Sequence, residues 1–273
     1  MSLLFLLLVA SIQGLTEFLP VSSSGHLILL PALTGLQDQG QTIDVAVHVG
    51  TLAAVVVYFW SDVRRALRGV PGLFRWRIDN QDTWLALCLA IATVPVVVAG
   101  LIFKLTGFDD MLRSIEVIGW TMIVFGVVLY WTDQKGGLEK TAEAWSLKDA
   151  ITMGLWQAVA LIPGTSRSGI TITAGRMLGY DRESAARLAM LMSIPTIVAS
   201  GVLLGAGVIA EADVQAARDG AIAAGMAFAA ALAALVLMMR LLKTVSFTPY
   251  VIYRVILGVI LLWLGYSGAL TTA

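Results

Sequence analysis

Two stretches of this chain carry side chains able to do chemistry in a setting that is otherwise lipid-like. Gln13 to His26 reads Gln-Gly-Leu-Thr-Glu-Phe-Leu-Pro-Val-Ser-Ser-Ser-Gly-His, and the second, Gln157 to Thr171, contains Leu-Ile-Pro-Gly-Thr-Ser-Arg-Ser-Gly-Ile-Thr. The first brings together a carboxylate (Glu17), three hydroxyls (Ser22, Ser23, Ser24) and an imidazole (His26). Gln13 and Glu17 are four residues apart and so share one helix face. Pro20 disfavours helical geometry at Leu19, and the serines can cap a new helix running on through His26. Pro163 and Gly164 repeat this break, with Thr165, Ser166 and Ser168 at the start of the following helix. A helix N-terminus with free N–H groups is an anion site, and the planar fork of Arg167 matches two phosphate oxygens. Together these groups read as a phosphate cradle.

Anion binding alone needs neither Glu17 nor His26. Beside hydroxyls, a carboxylate and an imidazole supply a general acid or base, or ligands for a divalent cation bridging phosphate oxygens. Hydrolysis of a phosphoanhydride requires an in-line nucleophile and neutralised charge on the transferring group. The nucleophile is either a serine, giving a phosphoenzyme, or an activated water. Ser23 is the preferred serine, because capping cannot occupy all three hydroxyls. Asp44 and His48, four apart near the mouth of a span, form a second polar pair but read as interfacial residues at a helix start.

The elements that hold these stretches are membrane helices. Of 273 residues, 58% are hydrophobic and 13% charged, against roughly 45–50% and about 25% in soluble domains, and mean hydropathy is +0.86. Formal net charge is zero and no basic tract points to nucleic acid. The single cysteine, Cys88, excludes an intramolecular disulfide and a multi-cysteine metal site and reads as packing. Six apolar segments predict spanning helices: Val45 to Trp60, Trp84 to Phe103, Ile115 to Trp131, Leu188 to Ile209, Gly220 to Met239 and Tyr250 to Tyr266. Leu3 to Ile12 lacks the basic flank of a signal peptide and is too short to cross a bilayer, so it reads as a re-entrant half-helix. If the first span meets the cytoplasm at Trp60, fourteen Lys and Arg residues fall inside, from Arg64 to Arg254, and three outside (Lys104, Arg113, Arg218). Arg254 then reads as a snorkelling residue at the inner end of the last span.

A shift of 144 positions aligns Gln13 with Gln157, Ser22 with Ser166, Ser24 with Ser168, Gly25 with Gly169, Ile28 with Ile172 and Gly35 with Gly179. Each copy precedes three spans, an odd number, so the second copy must be inverted. The expected fold is an all-α integral membrane domain over residues 1–273, built as an inverted-topology repeat (1–134 and 146–273). Each half is a re-entrant helix-loop-helix followed by three transmembrane helices. Glu17 aligns with Leu161, His26 with Ile170 and Ser23 with Arg167, which argues for one composite site.

The two motifs resemble those of the bacterial undecaprenyl pyrophosphate phosphatase family associated with bacitracin resistance, and lesser similarities at Val55 to Trp60 and Ser246 to Arg254 extend the likeness along the chain. The resemblance implies hydrolysis of a polyprenyl pyrophosphate in the inner membrane to the monophosphate carrier and phosphate. It further implies a site reached from the periplasmic side and a divalent cation, magnesium or calcium, with Glu17 as candidate ligand. Glu17 matches the family's key acidic residue, His26 its histidine, Ser22, Ser23 and Ser24 its hydroxyl cluster, and Ser166, Arg167, Ser168 and Thr171 its second motif. Gln13 stands where the family also allows glutamate, and as a neutral amide it is assigned to substrate binding. The competing reading is a transporter or flippase for polyprenyl phosphate, since the symmetry is of transporter type. An intramembrane serine protease fits less well, because Arg167 suits an anion better than a peptide carbonyl. A second copy of the chain, as a homodimer, is a further candidate partner.

Overall fold

The computed structural model describes residues 2–34, 40–107, 112, 114–211 and 214–267, without the side chains of residues 24, 28, 31–34 and 203–211. The expectations for Gly35, Arg113 and the Ser24 hydroxyl lie outside the described residues. The described chain is helical: α1 (Leu3–Glu17), α2 (Ser23–Thr34), α3 (Gly40–Tyr58), α4 (Trp60–Phe74), α5 (Gln81–Thr106), α6 (Ile115–Lys135), α7 (Leu147–Val159), α8 (Arg167–Met177), α9 (Arg182–Glu211), α10 (Val214–Leu241) and α11 (Thr248–Ser267). Six of these, α3, α5, α6, α9, α10 and α11, are long and apolar enough to cross a membrane. They fall on the six expected segments and extend beyond most of their ends. Although each contains a proline, α5 and α9 remain single helices through Pro95 and Pro195.

Local sequence sets the boundaries. Ser2, Asn80, Ser114, Ser146 and Ser166 each cap a helix by accepting a hydrogen bond from the backbone N–H three residues on. Gly107 closes α5 with φ of 67°, a conformation that a side chain disfavours. Apart from Trp60, α4 lies outside the six expected segments. Its signal was present: Arg64, Arg65 and Arg68 interleave with Val63, Leu67 and Val70, an amphipathic pattern too polar to span.

α3 packs along α10 and α6 along α11, while α9 touches both α3 and α5. The short helices lean on spans: α1 on α10, and α7 on α5. Both contacts need a glycine. A Cβ on Gly14 would lie 2.6 Å from the Ala230 Cβ, and one on Gly154 would lie 2.6 Å from the Ala92 carbonyl. The largest core cluster joins the turn after α1 to α3, α5, α7 and α9 through Phe18, Val55, Cys88, Met153 and Met190. Cys88 is buried there, as its apolar surroundings indicated. Apolar side chains such as Val97, Val127 and Ile256 face outward, where a bilayer rather than water would solvate them.

One end of the bundle is tied by charge. The Asp133 carboxylate accepts from Arg176 Nε (3.0 Å), Arg182 Nε (2.8 Å) and the backbone N–H of Phe247 (3.1 Å). Arg187 grips Asp62 through two hydrogen bonds, of 2.8 and 2.6 Å. Arg176, Arg182 and Arg187, counted from sequence as inner-side charges, are therefore ion-paired parts of the framework.

Candidate active site

The site is assembled where the two chain breaks meet. α1 ends at Glu17, and Phe18 to Ser22 turn the chain before α2 begins at Ser23. α7 ends at Val159, and Ala160 to Ser166 turn it before α8 begins at Arg167. The two turns are bonded to each other, since Ser168 Oγ donates to the Leu19 carbonyl at 2.9 Å. Gly164, with φ of 84°, lets the second turn lie on α6, where Thr121 Oγ1 donates to the Pro163 carbonyl at 2.6 Å.

Glu17 is the hub. Its Oε2 accepts from Ser23 Oγ at 2.6 Å and from Gln13 Nε2 at 2.8 Å. Its Oε1 pairs directly with Arg167 Nη2, and His48 Nε2 stands 3.9 Å from Oε2. Glu17 is 7% exposed, so these partners meet the need of a buried carboxylate for compensating charge and donors. Arg167 Nη1 reaches the Ser193 carbonyl on α9 at 3.5 Å. A cavity of about 170 Å³ opens on this cluster, lined by Glu17, Ser22, Ser23, His48, Ala160, Ser166, Arg167, Ile197 and Ser200. The structure thus brings Glu17, Ser23 and Arg167 together across the two halves of the chain, with Ser22 and Ser166 beside them.

Other expected residues are also bonded within the turns and helices that carry the site. Thr171 is fully buried and its Oγ1 donates back to the Arg167 carbonyl at 2.7 Å. Ser168 binds the opposite turn, and Ser166 Oγ accepts from Gly169 N at 3.1 Å as the α8 cap. His26 is not among the residues that line the cavity. Its Nδ1 meets the Ser22 carbonyl at 2.7 Å and its Nε2 the Tyr253 hydroxyl at 2.6 Å, with the two rings stacked. Because a carbonyl only accepts, Nδ1 carries the proton and Nε2 accepts from Tyr253. Both nitrogens of His26 are engaged in holding the first turn to α11.

His48, read from sequence as an interfacial residue, supplies the imidazole that faces Glu17. Ser200, a hydroxyl on a long apolar span, was also missed; its only signal was its type. Arg254 is the larger correction. Instead of snorkelling it is fully buried and donates to five backbone carbonyls: Pro20 in the first turn (3.4 Å), Gly164 (3.1 Å) and Thr165 (2.9 Å) in the second, and Thr121 (3.3 Å) and Met122 (3.1 Å) on α6. One guanidinium thereby ties both breaks to a span, which a charge at a membrane surface could not do.

A magnesium or calcium ion needs several oxygen ligands. Among the described residues no three His, Cys, Asp or Glu side chains stand close enough to hold a metal. The Glu17 carboxylate is already shared by a guanidinium, a hydroxyl and an amide, so a cation on Glu17 would sit against Arg167. The protein's own donors therefore do not fit a divalent cage.

These features describe a polytopic helical membrane protein with a buried polar site in which a carboxylate, a guanidinium and hydroxyls line one cavity. The family described as Bacitracin resistance protein BacA matches residues 6–260, and the chain belongs to it. The chain is 70% identical over 267 residues to an undecaprenyl-diphosphatase of Jannaschia sp. and 69% identical to one of Roseobacter denitrificans, in both cases across 98% of this chain and 100% of the relative. A more distant undecaprenyl-diphosphatase, from Hahella chejuensis, is 44% identical over 97% of this chain and 99% of its own length.

Proposed function

We propose that this protein hydrolyses undecaprenyl pyrophosphate to undecaprenyl phosphate and inorganic phosphate, recycling the lipid carrier of cell-wall synthesis. The observation that carries the proposal is the Glu17 hub: a carboxylate 2.6 Å from a serine hydroxyl and paired with the guanidinium of the opposite break. These are a base, a nucleophile and a phosphate-binding cation in one cavity. Glu17 Oε2 accepts the Ser23 proton as Oγ attacks the terminal phosphorus. Arg167 transfers its fork from Glu17 to the incoming phosphate oxygens, so substrate charge replaces the carboxylate and frees it to act as base. Undecaprenyl phosphate departs, leaving phosphate on Ser23. Ser22, Ser166 and Ser200 line the same cavity as hydroxyl contacts for the phosphates.

The reading includes the inverted-repeat architecture. It is supported by matched features 144 positions apart: Ser22 and Ser166 both hold positive φ, of 73° and 71°, and each Oγ accepts from the N–H of a glycine three residues on. α1 crosses α10 at Gly14 and α7 crosses α5 at Gly154, each a short helix of one half against the second span of the other. In this arrangement α1–α2 and α7–α8 are re-entrant hairpins that enter from opposite sides and meet at mid-membrane. The positive-inside bias supports an orientation with the α1–α2 side on the periplasmic face of the inner membrane, from which the substrate would reach the cavity. Magnesium or calcium is proposed to arrive on the pyrophosphate itself, where it would offset phosphate charge. A homodimer is tested by cross-linking of single cysteines on lipid-facing positions.

The deciding experiment is phosphate release from undecaprenyl pyrophosphate by the purified protein, with and without a chelator, beside Glu17→Ala and Arg167→Ala. Release by the wild type that both variants lose is the expected result. No release from folded wild type in any divalent cation, together with movement of polyprenyl phosphate across proteoliposomes, would make the pair of breaks a translocation gate instead.

A further inference from the structure

If Ser23 takes the phosphoryl group, a second step must remove it, and Glu17 then holds the proton that Ser23 gave up. A different base is needed for the water. His26 cannot serve while its two ring nitrogens hold the Ser22 carbonyl and the Tyr253 hydroxyl. His48 has the complementary arrangement. Its Nδ1 lies 2.7 Å from the Asp44 carbonyl one turn back on α3, so Nδ1 carries the hydrogen and Nε2 presents its lone pair. His48 lines the cavity that contains Ser23 and Arg167, and the 3.9 Å separation of its Nε2 from Glu17 Oε2 exceeds a direct hydrogen bond, which leaves the lone pair for a water in the cavity.

We propose that His48 is the general base of dephosphorylation, a catalytic residue that acts after Ser23 has been phosphorylated; this rests on the reading of Ser23 as nucleophile. In the first step the Ser23 Oγ–P bond forms, the P–O bond to undecaprenyl phosphate breaks, and the Ser23 proton passes to Glu17. In the second, the oxygen of a cavity water hydrogen-bonded to His48 Nε2 bonds to phosphorus while one of its protons passes to Nε2. The P–Oγ bond breaks, Ser23 Oγ takes back the proton held by Glu17, and inorganic phosphate leaves. His48 returns its proton to solvent through the cavity. Arg167 faces the same phosphoryl oxygens in both steps, so only the proton acceptor changes.

The test uses undecaprenyl pyrophosphate labelled with ³²P in its terminal phosphate. His48→Gln should lower steady-state turnover at least about 100-fold, the usual scale of general-base catalysis, while label accumulates on Ser23 towards one phosphate per chain. His48→Ala should do the same, and added imidazole should speed loss of the label. Turnover near wild type in His48→Gln would overturn the proposal. So would slow turnover without label in a variant that unfolds at the wild-type temperature, since His48 would then act before or outside dephosphorylation. Ser23→Ala separates the two readings: full turnover in that variant would remove the serine nucleophile itself, whatever His48 does.

Discussion

Ser22 and Ser166, 144 residues apart, hold matching left-handed backbones, with φ of 73° and 71°, and each begins the helix that follows a chain break. A side chain in this region costs on the order of 1–3 kcal/mol. Glycine would avoid that strain, but only serine supplies the oxygen that accepts from Gly25 or Gly169. Ser166→Gly should therefore be close to neutral in stability, because relief of strain offsets loss of the cap. Ser166→Ala keeps the strain and loses the cap, at about 1 kcal/mol. Thermal unfolding in detergent checks the order; an alanine variant as stable as the glycine variant would mean that the turn is not strained.

Arg254 should tolerate no substitution that loses its fork. Arg254→Leu leaves up to five carbonyls without their donor and should cost about 3–5 kcal/mol, the range for breaking a buried charged network. Arg254→Lys retains charge but reaches fewer carbonyls and should fall between. Phosphate release and unfolding temperature should decline together across wild type, lysine and leucine. An active Arg254→Leu enzyme of normal stability would contradict the role assigned to it.

His26 and Tyr253 are expected to position the first turn and not to move the reacting proton. Tyr253→Phe removes one net hydrogen bond, about 1 kcal/mol, and activity should stay within about tenfold of wild type. His26→Asn should behave similarly, whereas Arg167→Ala should lose roughly 10³-fold or more. A loss in His26→Asn as deep as that in Arg167→Ala would restore His26 as the acid or base.

Arg167→Lys tests whether the cation is needed as a fork or merely as charge. Lysine offers a point charge and cannot hold two phosphate oxygens with one planar fork. A fall in kcat of roughly 10²-fold with the protein still membrane-inserted is the expected outcome, read by phosphate release from purified variants.

Away from the site, the Glu143 carboxyl is held below its usual range by the hydrogen bond from Arg187, at 2.7 Å. A depressed carboxylate contributes stability that is present above its ordinary pKa and is lost as pH falls through the lowered folded value. Glu143 is 58% exposed, so screening keeps the effect below about 1 kcal/mol. Unfolding temperature measured from neutral pH down to acid should fall slightly more in wild type than in Glu143→Gln. Parallel curves would remove this contact from the acid response.

The six spans were legible because lipid imposes a local rule: a bilayer needs about 20 contiguous apolar residues, and that can be counted along a chain. The two breaks were legible for a similar reason, since Pro20, Pro163 and the hydroxyls after them act on their own neighbours. Glu17, Ser23 and Arg167 could be paired across halves because the internal alignment set Ser23 against Arg167. The amphipathic α4 was readable too, but a search for spans does not detect a helix with arginine on one face.

What sequence alone could not decide is which polar groups on different helices face one another. His26 and His48 lie in similar apolar neighbourhoods and each bonds through Nδ1 to the carbonyl four residues earlier. Only the packing of α11 against α6 and of α3 against α1 turns one ring to Tyr253 and the other to Glu17. Arg254 was misread because snorkelling is the cheapest course for an isolated membrane arginine. The five carbonyls that make burial favourable come from three segments distant in sequence, and they converge only in the folded bundle.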